Sequence, residues 1–446
     1  MKVRRELNES LWARLVFVLA VLVPFVILFL IPGAAPAYSG FWFWVVLLAC
    51  FWLMLSMIGR PAEAASEPQA PRMLHENEQS AAIRDVMDVR IATEDPSGVR
   101  TFRGRLRESA AGAYDKLKQA FSNQATPMVQ EDEELGASII LVPHSTEAGA
   151  AERDTRRWVP WLLFALTVVT TTWAGAAHQG INILHEPGRF TAGLPYALGL
   201  LAILGVHELG HYFTARHHQI RVTPPYFIPL PFALGTFGAF IQMRSPTENR
   251  RALFDVAVAG PLAGLVVAVP ALLVGLRSTT VLVSSAGSET GVMGGTAVGS
   301  SVLFALLAKL SLGDALQYGH LLRLSPLAFA GWLGLFITAL NLLPIGQLDG
   351  GHIAHAVFGR RLGDKIGSVA LWTLLLLAIF VWPGLMMWAI IVFFIAGTSI
   401  PPLNDLTPLS PSRRWLGYTV FVILGLILAP LPHSLWPAAG IHCPYL

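Results

Sequence analysis

Apolar residues along this chain gather into runs long enough to cross a bilayer, which takes roughly 17–25 of them in a helix. Such runs lie near 15–31, 40–58, 158–177, 192–214, 252–276, 324–343, 366–382, 385–400 and 415–432. The eighth is short and follows a turn at Pro383–Gly384, so the pattern predicts about nine spanning helices. Ala35-Pro36-Ala37 after the first run resembles a small-residue cleavage site. The length of that run, and the second span that follows at once, favour a membrane anchor over a signal peptide.

Between the second and third runs the pattern changes. Residues 60–96 are rich in Ala, Glu, Pro and Ser and read as a flexible linker. Residues 97–156 read as a small α+β domain. Val99–Leu106 suits a strand, and Ser109–Phe121 a helix with Ala113, Leu117 and Phe121 on one face. Met128–Val129 and Ala137–Val142 suit two more strands. Strand, helix, strand, strand matches half of a ferredoxin-like fold. The domain holds no metal or nucleophile cluster, its lone His75 and His144 suit structural or solvated roles, and it reads as regulatory or substrate-contacting. The remaining organisation is two spanning helices over 1–59, a membrane core over 157–400 and a final helix and tail over 401–446. The expected fold is therefore an all-α polytopic membrane protein with a small soluble insert.

Composition agrees. Of 446 residues, 54% are hydrophobic and 13% charged, about half the charged share of soluble domains (~25%). The net charge of +3 is too small and dispersed for nucleic-acid binding. Cys50 and Cys443 imply neither a disulfide framework nor a thiolate metal site. Basic residues flank alternate ends of the spans: Lys2, Arg4, Arg5 and Arg14; Arg216 and Arg221; Arg244, Arg250 and Arg251; Arg360, Arg361 and Lys365; Arg413 and Arg414. Assigning all of them to the cytoplasm makes nine spans alternate consistently, with the N-terminus inside and the C-terminus outside.

The chemistry is carried by His207-Glu208-Leu209-Gly210-His211, inside the fourth run. Residues four apart share a helix face, so both imidazoles can reach one zinc ion. Zinc lowers the pKa of water that it binds, and Glu208 can serve as general base toward that water. His207 lies nine residues from Arg216, roughly 13 Å in at ~1.5 Å per residue. An ionisable group at such depth costs about 2.5–3.5 kcal/mol and marks function by default. His217 and His218, just beyond, read as interfacial.

A catalytic zinc takes three protein ligands. The sixth run ends in Asn341-Leu342-Leu343-Pro344-Ile345-Gly346-Gln347-Leu348-Asp349-Gly350-Gly351-His352, where Pro344 and three glycines break the helix inside the membrane. The alternating topology puts this break on the side and at the depth of the histidine pair. Asp349 is the one carboxylate there and the leading third ligand; His352 and His355 are rivals, or else partners of Asp349 or of the cytoplasmic loop. Asn341 is a candidate donor to the substrate carbonyl or oxyanion, or a helix contact.

These residues resemble the site-2 protease family of intramembrane metalloproteases. The resemblance rests on HELGH at 207–211, FDVAVAGPLAG at 254–264 and NLLPIGQLDGGH at 341–352, and spans about 190–360. It implies that His207, His211 and Asp349 hold one zinc ion per chain and that Glu208 is the catalytic base. TFRGRL at 101–106 is similar to the cyanobacterial and plastid branch, and nothing resembles a PDZ or CBS module.

Thr223–Met243 is apolar but crowded with proline and glycine, with charges at both ends on one side. It reads as a re-entrant hairpin. Its edge near Gly235, Thr236, Phe237 and Gly238 could pair with a substrate unwound into a strand; these four and Pro344 are the candidate substrate contacts. Gly260-x-x-x-Gly264 permits close helix packing, and Asp255 reads as a cap or loop anchor. The function expected is zinc-dependent hydrolysis of peptide bonds in spanning segments of membrane proteins, as in regulated intramembrane proteolysis. A metal transporter or a silent scaffold is the alternative; the clustering of ionisable groups at one depth argues against the first, and the intact set against the second. With no transit peptide evident, the expected site is a bacterial inner membrane.

Overall fold

The computed structural model describes residues 72–74, 81–144, 158–230, 234–283, 301–313, 320–380, 389, 392 and 401–429. The expected spans near 15–31 and 40–58, that near 385–400 apart from positions 389 and 392, and His75 lie outside these residues.

The insert is a sheet with helices on it. Its elements are β1 (Arg72–Met73), α1 (Ala81–Val86), β2 (Met87–Glu94), β3 (Arg100–Leu106), α2 (Ala110–Ala120), β4 (Ala125–Asp132) and β5 (Gly136–Pro143). The strands order β1-β2-β3-β5-β4 with antiparallel neighbours. With β5 between them, β3 and β4 run parallel and α2 connects them, a split β-α-β unit. Ser109 caps α2 by accepting from the Gly112 amide at 3.2 Å. Phe102, Leu117, Val129 and Ile139 are fully buried between sheet and helices.

The order begins earlier than the linker reading of 60–96 allowed. α1 and β2 both fall inside it, because Met87, Val89 and Ile91 alternate with polar residues at the strand period. The acidic and alanine-rich surroundings masked that short alternation.

The helical core follows: α3 (Val159–Ala177), a 3₁₀ turn (Pro187–Gly193), α4 (Leu194–His217), a hairpin of β6 (Tyr226–Pro229) and β7 (Thr236–Phe240), and α5 (Arg250–Arg277). Then come β8 (Thr280–Val283), α6 (Val302–Leu312), β9 (His320–Arg323), α7 (Pro326–Leu342), α8 (Asp349–Phe358), α9 (Arg360–Phe380) and α10 (Pro411–Leu428). Among the described residues, four helical stretches are long and apolar enough to cross a membrane: Val159–Ala177, Pro187–His217, Arg250–Arg277 and Arg360–Ile379. With α7 and α10 they match the runs expected near these positions.

Helix α4 lies at the centre, against α3, α5 and α7. Small residues bring these helices together. A Cβ on Gly210 would fall 2.7 Å from the Ala259 carbonyl oxygen, and one on Gly275 2.2 Å from the Ala328 amide nitrogen. Such approach is what membrane helices use in place of a hydrophobic drive. The outward face of α4 exposes Leu198 and Phe213, as a lipid-facing surface requires.

Candidate metal centre

On α4, His207, Glu208 and His211 are all buried. His207 Nε2 and His211 Nε2 lie 3.1 Å apart. Asp349 Oδ2 sits 3.5 Å from the first and 3.3 Å from the second. Among the described residues these three form the group able to hold a metal ion. Ligands about 2.0–2.1 Å from a tetrahedral zinc stand about 3.3 Å from one another, so the three donor atoms already have the spacing of one face of that tetrahedron. Two imidazoles and a carboxylate also suit zinc chemically.

Helix α5 backs both imidazoles. His211 Nδ1 lies 2.8 Å from the Val256 carbonyl oxygen on α5. A carbonyl only accepts, so Nδ1 carries the proton and Nε2 presents its lone pair to the centre. Gly260 and Gly264, also on α5, back the two rings: a Cβ on Gly260 would lie 2.1 Å from His211 Nε2, and one on Gly264 3.2 Å from His207 Nδ1. The i,i+4 glycine pair thus matches the i,i+4 histidine pair.

Asp349 opens α8, directly after the break that follows α7. Gly350 and Gly351 let this first turn pass beneath the end of α7. A Cβ on Gly350 would lie 1.9 Å from the Leu342 carbonyl oxygen, and one on Gly351 2.3 Å from that of Gly346. Close approach, more than looseness, explains the glycines.

Asn341 Nδ2 lies 3.4 Å from His207 Nε2, so its amide stands at the centre. The two rival histidines part company. His355 Nε2 lies 2.8 Å from Asp405 Oδ1, and the residue does not line the cleft. His352 lines the same cleft as the ligands, and its Nδ1 is buried without a hydrogen-bond partner among the described residues. Asp255 is an anchor, as read: Arg413 donates to it from Nε and Nη2 at 2.7 and 2.8 Å, and His218 Nε2 lies 3.1 Å away.

The cleft over the centre has a volume of about 240 Å³ and is walled further by Phe240, Ile241, Met243, Gln347 and Leu348. The residues expected to touch substrate sit differently. Gly235, at φ +80°, packs on α3, where its carbonyl accepts from Thr170 Oγ1 at 2.6 Å. Thr236 is buried and its hydroxyl donates to the Ile228 carbonyl within the hairpin. Phe237 is exposed, Gly238 has φ +105°, and neither they nor Pro344 line the cleft. The last residue of β7, Phe240, and the stretch just beyond it do so. Strand β7 pairs with β6 alone among the described residues, so its other edge has no strand partner there. A second, apolar cleft of about 360 Å³ lies beside it, between Trp161 and Phe164 of α3, Leu209 of α4 and Phe227 of β6.

Sequence comparison agrees with the site. Residues 195–381 match the model of Peptidase family M50. The chain is 34% identical to "Probable zinc metalloprotease EGY1, chloroplastic" of Arabidopsis thaliana over 377 residues, covering 76% of this chain and 67% of the relative. It is 32% identical to "Probable zinc metalloprotease EGY2, chloroplastic" of Oryza sativa subsp. indica and 28% identical to its Arabidopsis thaliana counterpart, in each case over 77% of this chain. The chain spans 63% and 62% of the length of these two relatives. The protein belongs to peptidase family M50, the site-2 protease family to which its motifs pointed.

Proposed function

We propose that the protein is an intramembrane zinc metalloendopeptidase that hydrolyses peptide bonds in the spanning segments of membrane proteins. The observation that carries this reading is the ligand spacing: His207, His211 and Asp349 present three donor atoms 3.1–3.5 Å apart at the buried end of one cleft. Glu208, one residue along, lines that cleft with them. Zinc held there supplies Lewis acidity, making water nucleophilic and the scissile carbonyl electrophilic.

The protein's own groups do the rest. Glu208 accepts a proton from the attacking water and returns it to the amine as the carbon–nitrogen bond breaks, so each turnover consumes one water and leaves Glu208 as it began. The side-chain amide of Asn341 donates to the oxygen on which charge develops. The edge of β7 that has no strand partner among the described residues, ending at Phe240 in the cleft, pairs with a substrate segment in extended form. Unwinding is required because a helical carbonyl is already hydrogen-bonded and shielded. The apolar cleft beside α3 gives such a segment a route from the lipid.

For the whole chain we propose nine crossings with the N-terminus in the cytoplasm, in a bacterial inner membrane. The basic flanks of the spans support that orientation; the relatives' printed names are chloroplastic, so a plastid membrane is the competing location.

The test replaces Glu208 with Gln in full-length protein purified in detergent. Zinc content should stay at one per chain while cleavage of a reconstituted panel of single-spanning proteins is lost. Cleavage that persists would overturn the general-base role. Spanning proteins that accumulate in cells carrying Glu208→Gln then identify the substrate.

A further inference from the structure

The segment 402–406 joins the α+β domain to the helix that carries Asp349. On one side it lies parallel to β4, the edge strand of the domain's sheet: the Val129 amide donates to the Leu403 carbonyl at 2.7 Å, and the Asp405 amide to the Val129 carbonyl at 2.9 Å. The Gln130 side chain donates to the Pro402 carbonyl at 2.8 Å, and that of Asn404 to the Ala110 carbonyl at 2.9 Å. Leu403 and Leu406 pack into the domain's core. On its other side the segment meets the entry to α5, where the Leu403 and Asn404 amides donate to the carbonyls of Thr247 and Glu248 at 2.9 and 2.8 Å. Glu248 in turn pairs with Lys118 of α2.

Asp405 faces inward and is 1% exposed. Its Oδ1 takes Arg250 Nε at 3.2 Å and His355 Nε2 at 2.8 Å. Arg250 opens α5, the helix that backs the metal histidines, and His355 lies on α8, the ten-residue helix that begins at Asp349. A buried carboxylate held by two cationic or donor groups resists displacement, because removing one partner leaves the others uncompensated. Core packing of Ile353 and Ala356 holds the apolar side of short α8, and the contact of His355 with Asp405 adds a polar tie roughly one and a half turns beyond Asp349.

We propose that Asp405 and His355 are positioning residues for the ligand Asp349, and that the α+β domain sets their register through the 402–406 strap, so that force on the domain reaches the metal centre. This rests on the zinc reading above. The domain is then the place where a partner or a substrate's extramembrane part adjusts activity.

The experiment follows the rate at which zinc leaves full-length, zinc-loaded protein into an excess of a colorimetric chelator. Asp405→Asn should keep one zinc per chain at rest and release it about tenfold faster than the parent. The pair Gln130→Ala with Lys118→Ala, on the domain side of the strap, should accelerate release several-fold. Arg413→Ala, which opens the Asp255 cluster at the same end of the helices, should leave the rate within twofold of the parent while lowering the melting temperature. A rate unchanged in Asp405→Asn, or raised equally by Arg413→Ala, overturns the proposal, because the first removes the coupling and the second makes it general loosening. An unchanged rate in the Gln130/Lys118 pair overturns the domain's part. If Asp405→Asn fails to assemble, His355→Gln reads the same contact. A parent that holds no zinc would instead refute the zinc reading.

Discussion

Gly260 stands so close to His211 that a single methyl group would lie 2.1 Å from its Nε2. The metal histidines are therefore accommodated by α5 as much as they are presented by α4. Overpacking of this kind typically costs about 1–3 kcal/mol when the structure can shift; here the group that must shift is the imidazole proposed as a ligand. Gly260→Ala should lower zinc occupancy well below one per chain, by mass spectrometry of the purified protein. Gly264→Ala, with 3.2 Å to His207, should retain zinc. Full zinc occupancy in Gly260→Ala would show that His211 does not ligate from this position.

The third ligand is separable from its rivals. Asp349→Ala should abolish tight zinc binding, because two imidazoles remain where three donors stand 3.1–3.5 Å apart. His355→Ala should keep its resting zinc, since that ring faces Asp405. His352→Ala should also keep zinc, with activity reduced by loss of a polar group in the cleft. Zinc lost from His352→Ala and kept in Asp349→Ala would exchange their roles.

Asn341→Ala removes a donor from beside His207. Loss of one such donor costs on the order of 10²–10³ in kcat in hydrolases where it has been measured. A fall of that order with zinc content and KM unchanged is expected in steady-state cleavage. A changed KM at constant kcat would make Asn341 a ground-state contact.

Zinc removal should reveal how far the centre holds the helices together. A ligand that binds only the folded state, present at about 100 times its Kd, adds about 2.7 kcal/mol of stability. Chelation should therefore lower the melting temperature of the parent protein and restore on zinc addition. The melting temperature of Asp349→Ala should be insensitive to both.

The hairpin gives a prediction about substrate handling. Gly235 has φ +80°, and a Cβ there would lie 2.5 Å from the Thr171 Cα; a left-handed alanine alone costs about 1–2 kcal/mol. Gly235→Ala should detach β7 from α3 and reduce cleavage while leaving zinc in place. Unaltered cleavage would remove β7 from the substrate path.

Much of this protein is legible along the chain because the relevant rules are local. Helix period and apolar run length locate α3, α4, α5, α7, α9 and α10, and the spacing of His207 and His211 puts two imidazoles on one face wherever the helix goes. Alternation at Met87, Val89 and Ile91 was equally local, though too brief beside its polar neighbours to stand out. Residues remote in sequence followed another logic. Asp349 could be ranked first by order and depth, but its 3.3–3.5 Å approach to the histidines depends on α8 tucking under α7 at Gly350 and Gly351. The division between His352 and His355 depends on Asp405, fifty residues further on in a proline-rich stretch without periodic signal. Likewise, that the cleft is lined by Phe240, Ile241 and Met243 while Gly235 is committed to α3 shows only in the packed structure. Backbone geometry repeats every few residues and so leaves its mark in the sequence. Contacts between helices are set by which small residues let two backbones meet, and only the packed structure decides that.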